Sequence, residues 1–592
     1  VDGVQPYLVG QTALWAGMQD LSKKDLETAE GTGFPIVLLI LLGVFGSLAA
    51  AALPLLLGFA SVMITGAGIF FLSQAMDMSV FVTNVASMIG IGVAVDYSLF
   101  VLARYREEVL AGSEPAAARR TALRTSGLAV VFSGVTVMVS MAGLFLVPST
   151  TIRSMALGAI VVVAVSILAA TTLLPVLMRL FGRRVYQRGR IATTAGVWLQ
   201  NLRNIPRRRG STRPGAERPD FWQRWTDRVM GRPLLAAGAS AGVLLVLAIP
   251  ALSLTFGDGA LRQFPKTDDT VVGAELAAKK LGAGAAAPTQ VLAEFDSGTT
   301  ASPANRVALN RYERELRSDP EVADVGRPQP SRDGAAALIT VAPRHDAESP
   351  QARALIERMD GGGSLRRVAH VEVGGATAFN EDFKNLVSGS MWKILLFVMV
   401  FSYLVLFLLL RSVLLPLKAV VVNLLSVGAA YGVLVAIFQW GWIDGFLGFE
   451  SLGYINTMTP PLLLAIVFGL SMDYEVFLLS RIRERYDATG DTNLAVAQGL
   501  RQSAVTISSA ALIMVAVFAV FAGTGVPSIK EIGVGLSVAI ALDATLVRLV
   551  LVPATMRLMG RWNWWLPRPL ARVLPRASFE ASGAGAPERA PA

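Results

Sequence analysis

The chain has 592 residues, of which 53% are hydrophobic and 16% charged, with a formal charge of +10 and no cysteine. A soluble protein carries about a quarter charged residues, so the deficit points to the bilayer. The missing thiols exclude cysteine catalysis, disulfides and thiolate metal sites, and the two histidines, His345 and His370, lie too far apart for a local metal motif.

In chain order, eleven apolar runs are long enough to span about 30 Å of hydrocarbon, which takes roughly 20 residues each. They lie near 34–51, 53–73, 80–103, 123–147, 152–181, 232–254, 391–410, 413–438, 455–480, 503–525 and 529–558, with only "AAALP" between the first two. The expected fold is therefore a polytopic α-helical membrane protein. Residues 182–232 hold thirteen arginines, no lysine and three acids (Glu217, Asp220, Asp227), a local net of +10. Such a patch could meet nucleic acid. A basic loop between spans is also what the cytoplasm retains, and that reading is preferred, so no nucleic-acid partner is expected.

Arg104, Arg106, Arg119, Arg120 and Arg124 fall on the same side under alternation, as do Arg481, Arg483, Arg485, Arg501, Arg557 and Arg561. Residues 1–33 and 255–390 are thereby placed outside the cell membrane, and the linker 182–231 and the tail 560–592 inside, the tail from Pro567 expected to be disordered. The opening "VDGVQPYLVG" reads as the end of an external strand. In 255–390, "TQVLAEF", "ADVGR", "AAALITVAP" and "VAHVEVGG" read as strands and 304–318 and 349–359 as amphipathic helices. The order βαββαβ is that of a ferredoxin-like α+β domain.

An internal repeat organises the whole. "DYSLFVLARYREE" at 96–108 matches "DYEVFLLSRIRER" at 473–485 at an offset of 377, which also pairs Ser126 with Ser503 and Gly158 with Gly535. The first copy (34–181) has five spans. The second has six, 232–254 and the five in 391–559, so a twelve-span parent, missing one span and most of one external domain at its N-terminus, is expected.

An ionised Asp at a helix centre costs about 2.5–3.5 kcal/mol on insertion scales, and a carboxyl that is costly to keep ionised is suited to taking up and releasing protons. Here the feature occurs twice, as Asp96-Tyr97 and Asp473-Tyr474. Repeat symmetry brings equivalent helices together at the midplane, where each tyrosine hydroxyl can reach the opposite carboxylate. Phe100 and Phe477 follow four residues on, on the same face, where they shield the pair or simply pack the core. The small residues of "GIGVAV" and "FGLSM" allow close helix approach.

These motifs, with "DATLVRLVLVPA" at 543–554, closely resemble the mycobacterial membrane protein large (MMPL) family of the resistance-nodulation-division (RND) superfamily. The resemblance implies a twelve-span exporter with two external porter domains, driven by the proton-motive force, moving lipids or other amphiphiles out of the inner membrane of actinobacteria, with cell-envelope accessory proteins as further partners. It places proton relay on Asp96, Tyr97, Asp473 and Tyr474, relay support on Ser133, Phe100 and Phe477, and a supporting polar contact on Asp543 and Arg548. Drug-efflux members pair their acids with a lysine; no lysine is expected within the spans here, which favours the lipid-type branch. Protons are the coupling ion and no cofactor is expected. The alternative is a non-transporting, lipid-binding or sterol-sensing-like scaffold. With no phosphate loop of the G-x-x-x-x-G-K-[ST] type and no histidine in a span, an enzyme is disfavoured.

Overall fold

The computed structural model describes residues 6–186 and 221–573. The basic linker from 187 to 220, the first five residues and the tail from 574 lie outside the described residues.

The first copy is α1 (Gln11–Phe45), α2 (Leu48–Ser73), α3 (Val82–Leu110), α4 (Pro115–Leu146) and α5 (Thr150–Val185). After α6 (Phe221–Gly231) and α7 (Pro233–Ser253) the chain enters an α/β domain. Its elements are β1 (Phe256–Gly257), α8 (Asp269–Leu281), β2 (Thr289–Phe295), α9 (Pro303–Ser318), β3 (Val322–Val325), β4 (Gln329–Pro330), β5 (Ala336–Pro343), α10 (Pro350–Asp360) and β6 (Ala369–Gly374). The bundle resumes with α11 (Ala376–Leu410) and α12 (Leu414–Gln439). It ends with β7 (Ile455–Asn456), α13 (Thr459–Thr489), α14 (Thr492–Val520), α15 (Pro527–Trp564) and the short α16 (Arg568–Val573). Among the described residues eleven helices are long and apolar enough to cross a membrane, one for each expected run.

In the α/β domain the sheet order is β3-β5-β2-β6 with antiparallel neighbours. β2 alternates buried and exposed residues along its length, as a strand with one covered face must. Val291, Ala293, Ile339 and Val341 meet Leu309 and Tyr312 of α9 and Leu355 and Met359 of α10. β1 leaves this sheet and pairs in parallel with β7, so the strand entering the domain is fastened to the segment leading into α13.

The two copies interlock. α3 packs on α14, and α13 on α4, so each Asp-Tyr helix lies against a helix of the other copy. The contact is set by two glycines at equivalent repeat positions. A Cβ on Gly92 would sit 3.0 Å from the Phe518 ring of α14, and one on Gly469 would sit 3.1 Å from the Val137 Cα of α4. Each glycine lies four residues before its aspartate, on the same face.

Four expectations are corrected. The first two helices part at Gly46-Ser47 and not near 51–53, because Gly46 takes a left-handed φ of 65° and Ser47 caps α2 by accepting from the Ala50 N–H; Pro54 is accommodated inside α2. Residues 7–10 form no strand, and α1 runs on through the stretch assigned to an external domain. The stretch from Pro567, expected to be disordered, forms the helix α16 over Arg568–Val573, and just before it the Trp564 ring stacks on Tyr486 at 4.5 Å. Lysines do lie on spanning helices, Lys418 on α12 and Lys530 on α15, so the argument from their absence falls.

A methyl group at Gly469 presses on backbone, which cannot swing aside, whereas one at Gly92 presses on the end of a side chain. Gly469→Ala is therefore expected to lower the unfolding temperature in detergent more than Gly92→Ala, with a cost of about 1–3 kcal/mol typical of overpacking. Equal melting of the two variants would contradict the backbone contact.

Candidate functional site in the helix bundle

All four relay candidates come together between α3 and α13. Asp96 and Tyr97 are 3% and 1% exposed, Asp473 and Tyr474 8% and 3%. The Tyr474 hydroxyl donates to Asp96 Oδ1, a hydrogen bond between the two copies, and lies 3.1 Å from the Met514 sulfur. The reciprocal bond is not made. Tyr97 Oη and Asp473 Oδ2 have no hydrogen-bond partner, and Ser133 of α4 lies beside both groups. Thr136, one turn on, has its hydroxyl 3.0 Å from Asp473 Oδ1 and 2.6 Å from the Ser133 carbonyl oxygen, sharing one proton between them. Gly134 leaves the space that Ile167 and Tyr97 fill: a Cβ there would clash with Ile167 Cδ1 and lie 3.2 Å from the Tyr97 hydroxyl.

The asymmetry follows from the sequence. At offset 377, Ser133 and Thr136 correspond to Ala510 and Ile513, which offer Asp96 no hydroxyl. One aspartate therefore rests on a tyrosine of the other copy, and the other on hydroxyls of α4.

Phe100 sits 5.7 Å from the Tyr474 ring and 5.2 Å from that of Phe477, and the Arg481 guanidinium lies 5.6 Å over Phe477. The two phenylalanines thus form a contact pair at one end of the site.

Asp543 and Arg548 form a buried ion pair, 4% and 3% exposed. The helix is π-helical from Asp543 to Leu551, and the i→i+5 bonding of that form turns residues five apart toward one another. Arg548 also donates to the Ser471 carbonyl at 2.9 Å, the Ser471 hydroxyl donates to Asp543 Oδ2 at 3.1 Å, and the guanidinium lies 4.6 Å over the Tyr474 ring. The pair therefore holds the tyrosine that reaches Asp96.

Thr136, Ser471 and a further group on α13 were not singled out from the sequence. Glu475, directly after Asp473-Tyr474, accepts from Asn423 Nδ2 at 3.1 Å and faces the Lys418 ammonium, both on α12. Thr136 was findable as the hydroxyl one helical turn after Ser133. The π-turn had no sequence signal.

Removing one partner of a buried ion pair strands the other charge, at about 3–5 kcal/mol. Arg548→Gln is expected to destabilise the chain in detergent by that order, with Asp543→Asn/Arg548→Gln recovering part of the loss in the same thermal melt; no recovery would mean that the two side chains do not act as a pair.

The sequence profile described as the MMPL family matches residues 1–233 and 263–580. The chain is 47% identical over 580 residues to the "Probable transport protein MmpL11" of Mycobacterium bovis, covering 98% of this chain and 58% of that protein. It is 44% identical to the "Mycolic acid-containing lipids exporter MmpL11" of Mycolicibacterium smegmatis, covering 98% and 59%. A Mycobacterium tuberculosis relative at 47%, with 98% and 58% covered, carries the name "Heme uptake protein MmpL11". The chain thus spans well under two thirds of the length of these relatives. Among solved structures it is similar in fold to the hedgehog release protein Disp from the water bear Hypsibius dujardini, with a TM-score of 0.60 at 13% identity over 91% of this chain and 71% of that one. On the profile match and these identities, the chain belongs to the MMPL family.

Proposed function

We propose that this chain carries the membrane engine of a proton-driven exporter of lipids or other amphiphiles, with protons relayed by Asp96-Tyr97 and Asp473-Tyr474. The reading rests on one observation above all: a tyrosine of one copy donates to a buried aspartate of the other. Protonating Asp96 changes the acceptor of this hydrogen bond from a carboxylate to a carboxylic acid, so loading a proton alters the contact between the copies and unloading it restores the contact. Asp473 is poised differently, with one oxygen partnered by Thr136 and the other open beside Ser133. Two carboxyls in unlike surroundings can fill and empty in sequence.

The name of the mycolic acid-containing lipids exporter among its relatives supports a lipid cargo. We further read the β3-β5-β2-β6 sheet with α9 and α10 as a ferredoxin-like porter domain on the outer face of the cell membrane, with the basic linker and tail inside, as the arginine bias of the connecting segments favours.

The test is flux of a labelled long-chain glycolipid in proteoliposomes under an imposed pH gradient. Asp96→Asn and Asp473→Asn are each expected to abolish gradient-dependent flux while keeping the fold. Parental rates in both variants would end the relay reading, and co-purified lipid without any gradient-dependent flux in the parent would favour a lipid-binding scaffold.

A further inference from the structure

A second acidic cluster, with Glu531 buried and Asp258 partly buried, lies away from the relay, where the α/β domain meets the bundle. Asn456, in β7, donates its side-chain amide to Asp258 Oδ1 at 3.2 Å and its backbone N–H to Glu531 at 3.1 Å, and the Thr459 hydroxyl donates to Glu531 at 2.7 Å. Asp258 directly follows β1, and Glu531 is in the first turns of α15. The site thus stitches the entry to the α/β domain, the start of α13 and the start of α15 together.

The internal repeat shows what such a site needs for folding alone. At offset 377, Asn456 corresponds to Ser79 and Glu531 to Ser154, and the same bond is present in the first copy: the Ser79 N–H donates to Ser154 Oγ at 3.1 Å. A serine hydroxyl therefore suffices to cap this turn. The second copy uses instead a carboxyl that is 1% exposed, and adds Thr459 where the first copy has Val82. A buried acid costs more than a serine, so the carboxyl is there for its own chemistry.

Two further observations point to a proton as the ligand. The Thr457 hydroxyl is fully buried and faces Asp258, yet neither it nor Asp258 Oδ2 has a hydrogen-bond partner. In addition, a small, mostly apolar recess of about 20 Å³ lies between Asn456 and Ser528 on one side and Asn84 and Met88 of α3 on the other. Met88 is eight residues from Asp96 on the same helix, about 12 Å at 1.5 Å per residue.

Resting on the proton-driven reading above, we propose that Asp258 and Glu531, bridged by Asn456, form a proton-binding station on the outer side of the second copy, and that its protonated form fastens the α/β domain to α13. Its charged surroundings are Glu348, paired with Arg262 at 3.0 Å and facing Tyr454, with Asp346 and Arg353 behind, and Lys530 on α15, whose ammonium donates to the Leu447 carbonyl and faces Asp25 of α1. Burial pushes Asp258 up to about 7, tempered by Thr457, and burial likewise pushes Glu348 up to about 7, tempered by Arg262. A carboxyl raised above its unfolded value favours the docked state fully at low pH, and that advantage fades as pH climbs from about 4 to about 7. The acidic side of the membrane therefore fastens the domain and alkalinity frees it.

The station is tested without cargo, by infrared titration of protonated carboxyl bands and by deuterium exchange, on the whole chain in vesicles of phosphatidylglycerol and cardiolipin between about pH 5 and about pH 9. The expected parental spectrum has carboxyl components titrating near neutrality, one lost in Asp258→Asn, one in Glu531→Ser, and a separate one in Glu348→Gln. Exchange at the Ile455 and Thr457 amides, which bond to Thr255 and Gly257, should accelerate about a hundredfold beyond the intrinsic pH effect as the station empties, the factor matching the roughly two units of its affinity shift that lie above about pH 5. Glu531→Ser reproduces the first copy's cap and should melt as the parent does; if it does not fold, Glu531→Gln serves. The proposal is overturned if the neutral components survive both Asp258→Asn and Glu531→Ser, if the amides show no excess opening, or if Asp96→Asn alone removes the components. That last result would leave the relay standing without the station, whereas failure of the relay is read from flux in the variants at Asp96 and Asp473.

Discussion

The hydrogen bond from Tyr474 to Asp96 is the constraint around which the bundle is arranged. A charge-bearing oxygen at that depth needs a donor, and here the donor comes from the other copy. That requirement explains why α3 and α13 are almost wholly buried, why glycine stands one turn before each aspartate, and why the Arg548 guanidinium lies over the donating ring. Each feature brings the helices close or orients the group that reaches across.

The copies share a backbone plan but not their polar content. Asp543 and Arg548 stand where the first copy has Ser166 and Thr171, Glu475 where it has Ser98, and Glu531 where it has Ser154. With the capping serines Ser47 and Ser412 as register, Lys418 stands where the first copy has the fully buried Leu53. The first copy shows that the fold closes with hydroxyls and apolar groups at these places. Buried ions are weak contributors to stability, so folding alone does not account for their concentration in one copy. The two Asp-Tyr motifs are a repeat pair set in unequal surroundings.

Much of this was legible in the sequence because the bilayer imposes a simple code. Eleven apolar runs became eleven helices, and the twin Asp-Tyr motifs meet in the bundle with Asp543 and Arg548 paired beside them. Strands β2, β3, β5 and β6 were legible in the sequence within one or two residues. What was not legible depended on spatial neighbours. The break at Gly46-Ser47 was hidden because an apolar run says nothing of a left-handed φ inside it. The missing Tyr97–Asp473 bond was legible only in part: Ser133 and its repeat mate Ala510 already differ in the sequence, but that Thr136 reaches Asp473 depends on how α4 packs on α13. The β1–β7 pairing joins two-residue strands almost 200 positions apart, too short and too distant to leave a pattern.

The helix α13 connects these parts. Its N-terminal end is held through β7 and Thr459 to the α/β domain and α15, and its middle carries Asp473 and Tyr474. Near its C-terminal end Arg483 lies 5.0 Å over the Trp564 ring. At Gly469 it crosses α4 with backbone almost against backbone, so this point has the least room to slide. Asp473 is one turn from that crossing, and the N-terminal end is about 15 Å from it at 1.5 Å per residue. The carboxyl and the donor that meet the first copy are therefore carried on the same continuous helix as the contacts that fasten the α/β domain.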